Sequence, residues 1–373
     1  IDSWPFIYWI SDEFREKFDN DSINDVLNPR QGIATGSNER CVRFWWEVDK
    51  RDISNSTNDS LKWKNYAKGG PFKKWFGNNW AIIDFSKEGY EFLNNNGNHL
   101  PSKQFYFQIA CTYSASGSKG VSFRLMEENS LFDVGGSCIF MGKYSNPYYT
   151  LALLNSNLTF YIAKCFNPTV NTQVGDIKRL PFVVPNKSLE NQIEVLIKSN
   201  IEKTKELNKY SIVEQNYEAS YLQSQKSVIK QTLEFIEYQS KVEAYILFNE
   251  YILNELIFNQ YSLNDSDRLD VENSFGKLLC SLPILEQAKS DFIKEFQLNE
   301  VQIEYLNKIS IQEEISQIID GLETLYQANN HLEEFSKKNQ VNPINVWYWF
   351  KEANVLPMGK AKEIALEFVT DHI

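Results

Sequence analysis

From Arg30 to Pro185 the apolar positions fall in short runs: Cys41–Val48, Trp80–Phe85, Gln104–Thr112, Val121–Leu125 and Gly136–Met141. Each has strand length and composition, and the Gly-, Asn- and Pro-rich stretches between them read as turns. One segment keeps a helical period instead. Pro147–Cys165 spaces Leu151, Leu154, Leu158 and Ile162 along a helix, and Asn167-Pro168 ends it. Beyond Pro185 the period changes. Ser188 and Gln192 open a helical region carrying Ile193, Leu196, Ile197 and Ile201, which runs to about Phe258. Ile246, Ile252, Leu253, Leu256 and Ile257 fit a packed amphipathic helix better than a coiled-coil heptad. Shorter helices are expected at Val271–Leu282, Leu285–Phe296, Asn299–Asp320 and Met358–Asp371, and the patch Asn94–Asn98 reads as a loop.

This pattern predicts an α+β fold: a mixed α/β domain over residues 30–187, then a mostly α-helical region over 188–373. Residues 1–29 read as an entry segment, with an aromatic stretch (Trp4, Phe6, Tyr8, Trp9) and a short acidic helix around Ser11–Phe18. Ile1 is not an initiator methionine, so the chain reads as a piece of a longer protein.

Charge sharpens the division. The net charge is -11, but residues 30–187 hold 19 Lys+Arg against 12 Asp+Glu, whereas residues 188–373 hold 17 against 30. A polyanion such as nucleic acid would meet the basic middle and be repelled by the acidic tail, although chance segregation gives the same balance. No apolar run approaches the ~20 residues of a membrane span, and no secretory signal opens the chain. Five scattered cysteines, none in a CxxC pair, point to reduced thiols in a cytoplasmic protein without structural zinc. Three histidines (His99, His331, His372) make a His-based metal or triad site a poor expectation.

Catalytic motifs are missing. Asn146-Pro147-Tyr148-Tyr149 comes nearest to the Asn-Pro-Pro-aromatic loop of an adenine methyltransferase, but it lacks the second proline and reads as a helix N-terminus. No Gly-rich S-adenosylmethionine loop follows a strand, so neither a catalytic residue nor that cofactor is expected in these residues.

Binding chemistry is denser. Lys68, Gly69, Gly70, Lys73 and Lys74 place three ammonium groups around a glycine turn, interleaved with Trp75, Phe76 and Trp80. Such a turn suits phosphate contact, because backbone can approach closely. The other reading is a basic hairpin over a buried aromatic cluster. Asn78 and Asn79 carry amides able to pair with an adenine edge, as do Asn171 and Gln173, and Arg124 could pair with guanine. The loop Gly32–Arg40, with Thr35 and Asn38, and the loop Ser114–Gly120, with Lys119, are either phosphate cradles or capped turns.

The order of these segments resembles a known family. Gly32-Ile33-Ala34-Thr35-Gly36-Ser37-Asn38-Glu39-Arg40 precedes Arg43-Phe44-Trp45-Trp46-Glu47-Val48. Lys68–Asn79, Phe123-Arg124, Phe132-Asp133-Val134-Gly135-Gly136, Leu153-Leu154-Asn155-Ser156 and Asn167–Ile177 with Leu180-Pro181 follow. Together they resemble the specificity region of PglX-type methyltransferases of BREX phage-defence systems. The resemblance implies S-adenosylmethionine-dependent N6-adenine DNA methylation, with catalytic motifs that would precede Ile1. Double-stranded DNA, the missing catalytic domain and other BREX proteins are then the expected partners. Two alternatives stay open: a specificity module of a type IIG or type I restriction-modification enzyme, and a protein-interaction scaffold with acidic helices. Stretches between the shared blocks, Arg51–Lys64, Glu88–Lys103 and Ser114–Lys119, are the expected carriers of base specificity.

Overall fold

Strand propensity and burial combine most simply in Ala81–Asp84, whose four residues are all buried. A strand covered on both faces reads as a continuous apolar run rather than an alternation. The computed structural model describes residues 21–371 with Phe14 and Glu16, leaving out 55, 57–59, 118, 170, 223–226, 314–318, 326–330 and 354. The stretch Trp4–Trp9 and most of the expected helix Ser11–Phe18 lie outside the described residues.

The architecture is α+β, with two units. One holds residues up to Lys205, Val213–Gln215 and Ile257–Asp267; the other holds Glu206–Ile212, Asn216–Leu256 and Arg268 onward. Among the described residues eight strands build the first: β1 (Asn28–Arg30), β2 (Val42–Phe44), β3 (Trp63–Ala67), β4 (Ala81–Asp84), β5 (Ala110–Tyr113), β6 (Phe123–Met126), β7 (Ser130–Phe132) and β8 (Cys138–Phe140). They form two four-stranded sheets, ordered β1-β8-β5-β6 and β2-β4-β3-β7. Every pairing is antiparallel except β3 with β7.

Strand β7 ties two cores together. Successive strand residues point to opposite faces, so Leu131 packs with Ile33, Cys41, Tyr66, Ile83 and Leu93, while Phe132 packs with Met126, Cys138 and Phe140. Each such side chain contributes about 1.5–3 kcal/mol of transfer free energy on full burial.

The helices amend several expectations. Pro147–Cys165 is two helices, Pro147–Leu154 and Asn157–Phe166, because Asn155-Ser156 turns the chain and the Ser156 hydroxyl caps the second at Thr159 N. Asn146 accepts from Tyr148 and Tyr149 N–H ahead of Pro147, a helix N-terminus as expected. Asn94–Asn96 is not loop but the last turn of Lys87–Asn96, capped at its start by Ser86. The long helical region is Lys187–Asn208 and Val228–Gln260, and residues 209–222 after the first helix are non-helical although no Gly or Pro lies among them.

In the second unit Trp347 is fully buried, its indole N–H donating to Glu237 at 2.7 Å. Gln302, from Glu300–Lys308, reaches Tyr245 (3.0 Å) and Asn249 (2.7 Å) on the Val228–Gln260 helix. No helix among the described residues is long and apolar enough to cross a membrane.

Candidate nucleic-acid interface

Ala67 ends β3, and the chain turns sharply at Gly69 (φ +84°) and Gly70 (φ +153°). A Cβ on Gly69 would stand 2.9 Å from the Gly135 carbonyl, and one on Gly70 would stand 2.8 Å from the Asn78 amide carbon. Only glycine meets both demands, conformation and space. The turn is pinned where it opens: the Trp80 indole donates to Gly69 O at 3.0 Å, and Gly70 exchanges hydrogen bonds with the Ser114 hydroxyl (3.0 and 2.9 Å).

Lys68 leaves this turn toward two other loops. Its ammonium donates to Asp133 Oδ2 at 2.8 Å and to Asn38 Oδ1 at 3.1 Å, and Asn38 also accepts from the Thr35 hydroxyl at 2.8 Å. Asp133 accepts from Gly135 N–H at 2.6 Å with its other oxygen, and the Tyr66 hydroxyl donates to Oδ2 at 2.6 Å. Burial, and then the neighbouring carboxylate, push the Tyr66 phenol well above its ordinary pKa. Asn98 fastens the Thr35 loop from behind, accepting from Ala34 N–H and donating to Gly32 O, both at 3.0 Å. Ala115 N–H donates to Gly135 O, Thr172 N–H donates to Ala115 O, and Ser116 bridges to Asn171. Segments spread from Thr35 to Thr172 thus form one hydrogen-bonded rim.

The far arm of the 68–80 loop is held from within. Glu214 is 2% exposed and accepts from Lys73 Nζ (2.7 Å), Asn78 N–H (2.9 Å) and Asn79 N–H (3.1 Å). Lys74 lies 5.9 Å from the Phe160 ring centroid. Arg124, in β6, is 1% exposed and its guanidinium makes only long bonds, to Lys73 O (3.4 Å), Ser122 O (3.5 Å) and Ser114 Oγ (3.4 Å). Burial pulls its pKa down to about 10, which leaves it charged at neutral pH. Asn155 pins the same strand, exchanging two bonds with the Phe123 backbone.

With this geometry in view, the relatives are informative. Adenine-specific methyltransferase BrxX of Escherichia coli O9:H4 (strain HS) is 32% identical over 228 residues, 58% of this chain and 18% of that protein. Adenine-specific methyltransferase PglX of Lacticaseibacillus casei (strain Zhang) is 30% identical over 216 residues, 54% of this chain and 18% of its own length. More than half of this chain is thus similar to a part of these two adenine-specific methyltransferases. The chain spans under a fifth of either relative, and no family model matches it.

The candidate residues divide by exposure. Asn38, Gly70, Lys119, Asn171 and Gln173 are exposed; Lys68, Lys73, Lys74 and Asn79 are half-buried; Thr35, Gly69, Asn78 and Arg124 are buried. Asn78 donates its amide to Pro71 O at 2.9 Å, so this side chain and Arg124 build the loop from inside. Asp133, read from sequence as a capping acceptor, caps Gly135 and also holds Lys68. Glu214 was missed, since it sits in a stretch read as continuous helix. The loss of apolar period around Tyr210–Tyr221 is the signal that could have located it. Among the described residues no group of three His, Cys, Asp or Glu side chains is placed to hold a metal.

Proposed function

We propose that the chain is the DNA target-recognition portion of an S-adenosylmethionine-dependent N6-adenine DNA methyltransferase of the BREX phage-defence type. The observation that carries this reading is the convergence of Thr35–Asn38, Lys68–Gly70, Ser114–Ser116, Asp133–Gly135 and Asn171–Thr172 on one rim of a domain with excess positive charge. Phosphate contacts position such a domain and base contacts specify. Glycine backbone and Lys68 suit the first role; the exposed amides of Asn171 and Gln173 and the Ser114–Lys119 loop suit the second. S-adenosylmethionine and methyl transfer belong, in this reading, to a catalytic domain outside these residues, which extrudes the adenine. The acidic helical region braces that assembly or docks BREX partners in the cytoplasm.

Fluorescence anisotropy with a labelled duplex tests the reading. Binding should weaken steeply as salt rises, with a linear log–log slope. A chain that binds no duplex even at low salt would refute it.

A further inference from the structure

The chain has 25 phenylalanines and 9 tryptophans, yet the exposed ones among the described residues are three: Phe44 (43%), Trp46 (46%) and Phe72 (36%). All three border the candidate interface. Phe72 follows the Gly69-Gly70 turn by two positions, Phe44 ends β2, and Trp46 lies in the short 3-10 turn Trp45–Glu47 that follows it. Single exposed apolar residues are ordinary, but such a concentration in one neighbourhood marks a binding surface.

We infer that Phe44 and Trp46 form a stacking platform for an unpaired nucleobase. Their rings are nearly parallel, 9° apart with centroids at 4.6 Å. Trp80 lies against Phe44 at 5.5 Å, and the Trp45 and Trp46 rings stand at 90° to each other with centroids 5.7 Å apart. Trp46 is the most exposed ring of the array, at 46%. Its indole N–H has no acceptor among the described residues. The platform is held before any ligand arrives. Glu47 accepts from Phe44 N–H at 2.7 Å, Trp45 N–H donates to Trp80 O at 3.1 Å, and the buried Trp45 donates its indole N–H to Val213 O at 3.3 Å. Trp80 joins platform to interface, because its indole bonds the Gly69 carbonyl.

Charge does not explain this surface. From Glu39 to Asp52 four basic residues stand against four acidic ones, so a phosphate gains little there. A flat ring instead offers its face to any base that has left the duplex stack. Fully paired DNA has no such free face except at its ends.

This inference rests on the nucleic-acid reading, and the test separates the two. The chain is titrated with a hairpin duplex closed by a non-nucleotide linker, which leaves no unpaired base in the loop, and with the same hairpin carrying one extrahelical adenine. The wild type should prefer the extrahelical adenine by about tenfold, Trp46→Ala and Phe44→Ala should abolish that preference, and Trp46→Tyr should keep it. Unchanged melting of Trp46→Ala, expected from its exposure, shows that the variant folds. Salt-dependent binding of both hairpins without preference, or a preference that survives Trp46→Ala, overturns the platform and leaves the DNA reading standing. Binding to neither hairpin overturns both. Loss of self-association in Trp46→Ala without a change in base preference makes the patch a protein contact and overturns the platform alone.

Discussion

The Lys73 ammonium lies 2.7 Å from the Glu214 carboxylate, across 141 residues of sequence, and the same carboxylate accepts the Asn78 and Asn79 backbone N–H groups. One buried side chain thereby fixes the far arm of the glycine loop. Removing it takes this acceptor from one lysine and two backbone amides. Breaking a buried pair from one side costs about 3–5 kcal/mol. Glu214→Ala should therefore lower stability by that order in urea unfolding, and Glu214→Gln by less, because the amide oxygen still accepts. An unfolding midpoint unchanged in Glu214→Ala would show that the clamp carries no energy.

The same pairing separates the lysines in their response to salt. Lys73 is already neutralised by Glu214, whereas Lys119 is exposed on the Ser114–Gly120 loop. Lys119→Ala should weaken binding to all duplexes alike and flatten the salt slope by about one unit. Lys73→Ala should flatten it less and destabilise the fold instead. A shift of site preference in Lys119→Ala with an unchanged slope would contradict a phosphate contact.

Acid sensitivity should trace to Asp84. Burial works to raise its pKa, but hydrogen bonds from the Ser86 hydroxyl and N–H, then Arg40 and Lys62, outweigh it and hold the carboxyl below its ordinary value of 3.8. A depressed carboxylate contributes stability that is fully present above its unfolded pKa and lost as pH falls through the folded one. Asp84→Asn should therefore lower stability at neutral pH and flatten the fall of stability below about pH 4. An acid limb identical to the wild type would assign that dependence to other groups.

Much of this architecture was legible and some was hidden for physical reasons. β4, β6 and β8 announced themselves as apolar runs, since they are buried. β3 did not, because Trp63–Ala67 alternates and its inward positions include Lys64, whose ammonium reaches the Ser54 hydroxyl at 3.0 Å. β7 is three residues long, too short for any period, although its Leu131 and Phe132 anchor both cores. The blocks of the interface could be read individually. Their meeting could not, because it depends on bonds such as Lys68 to Asp133 and Ala115 to Gly135 between loops far apart in sequence.

The most direct test of the account is an exchange of recognition. Residues 30–187 replace the matching segment in a full-length PglX relative, and the adenine methylome of cells expressing the chimaera is sequenced. If this domain reads the target, methylation moves from the host enzyme's motif to a new adenine-containing motif. Methylation that stays at the host enzyme's motif contradicts the account.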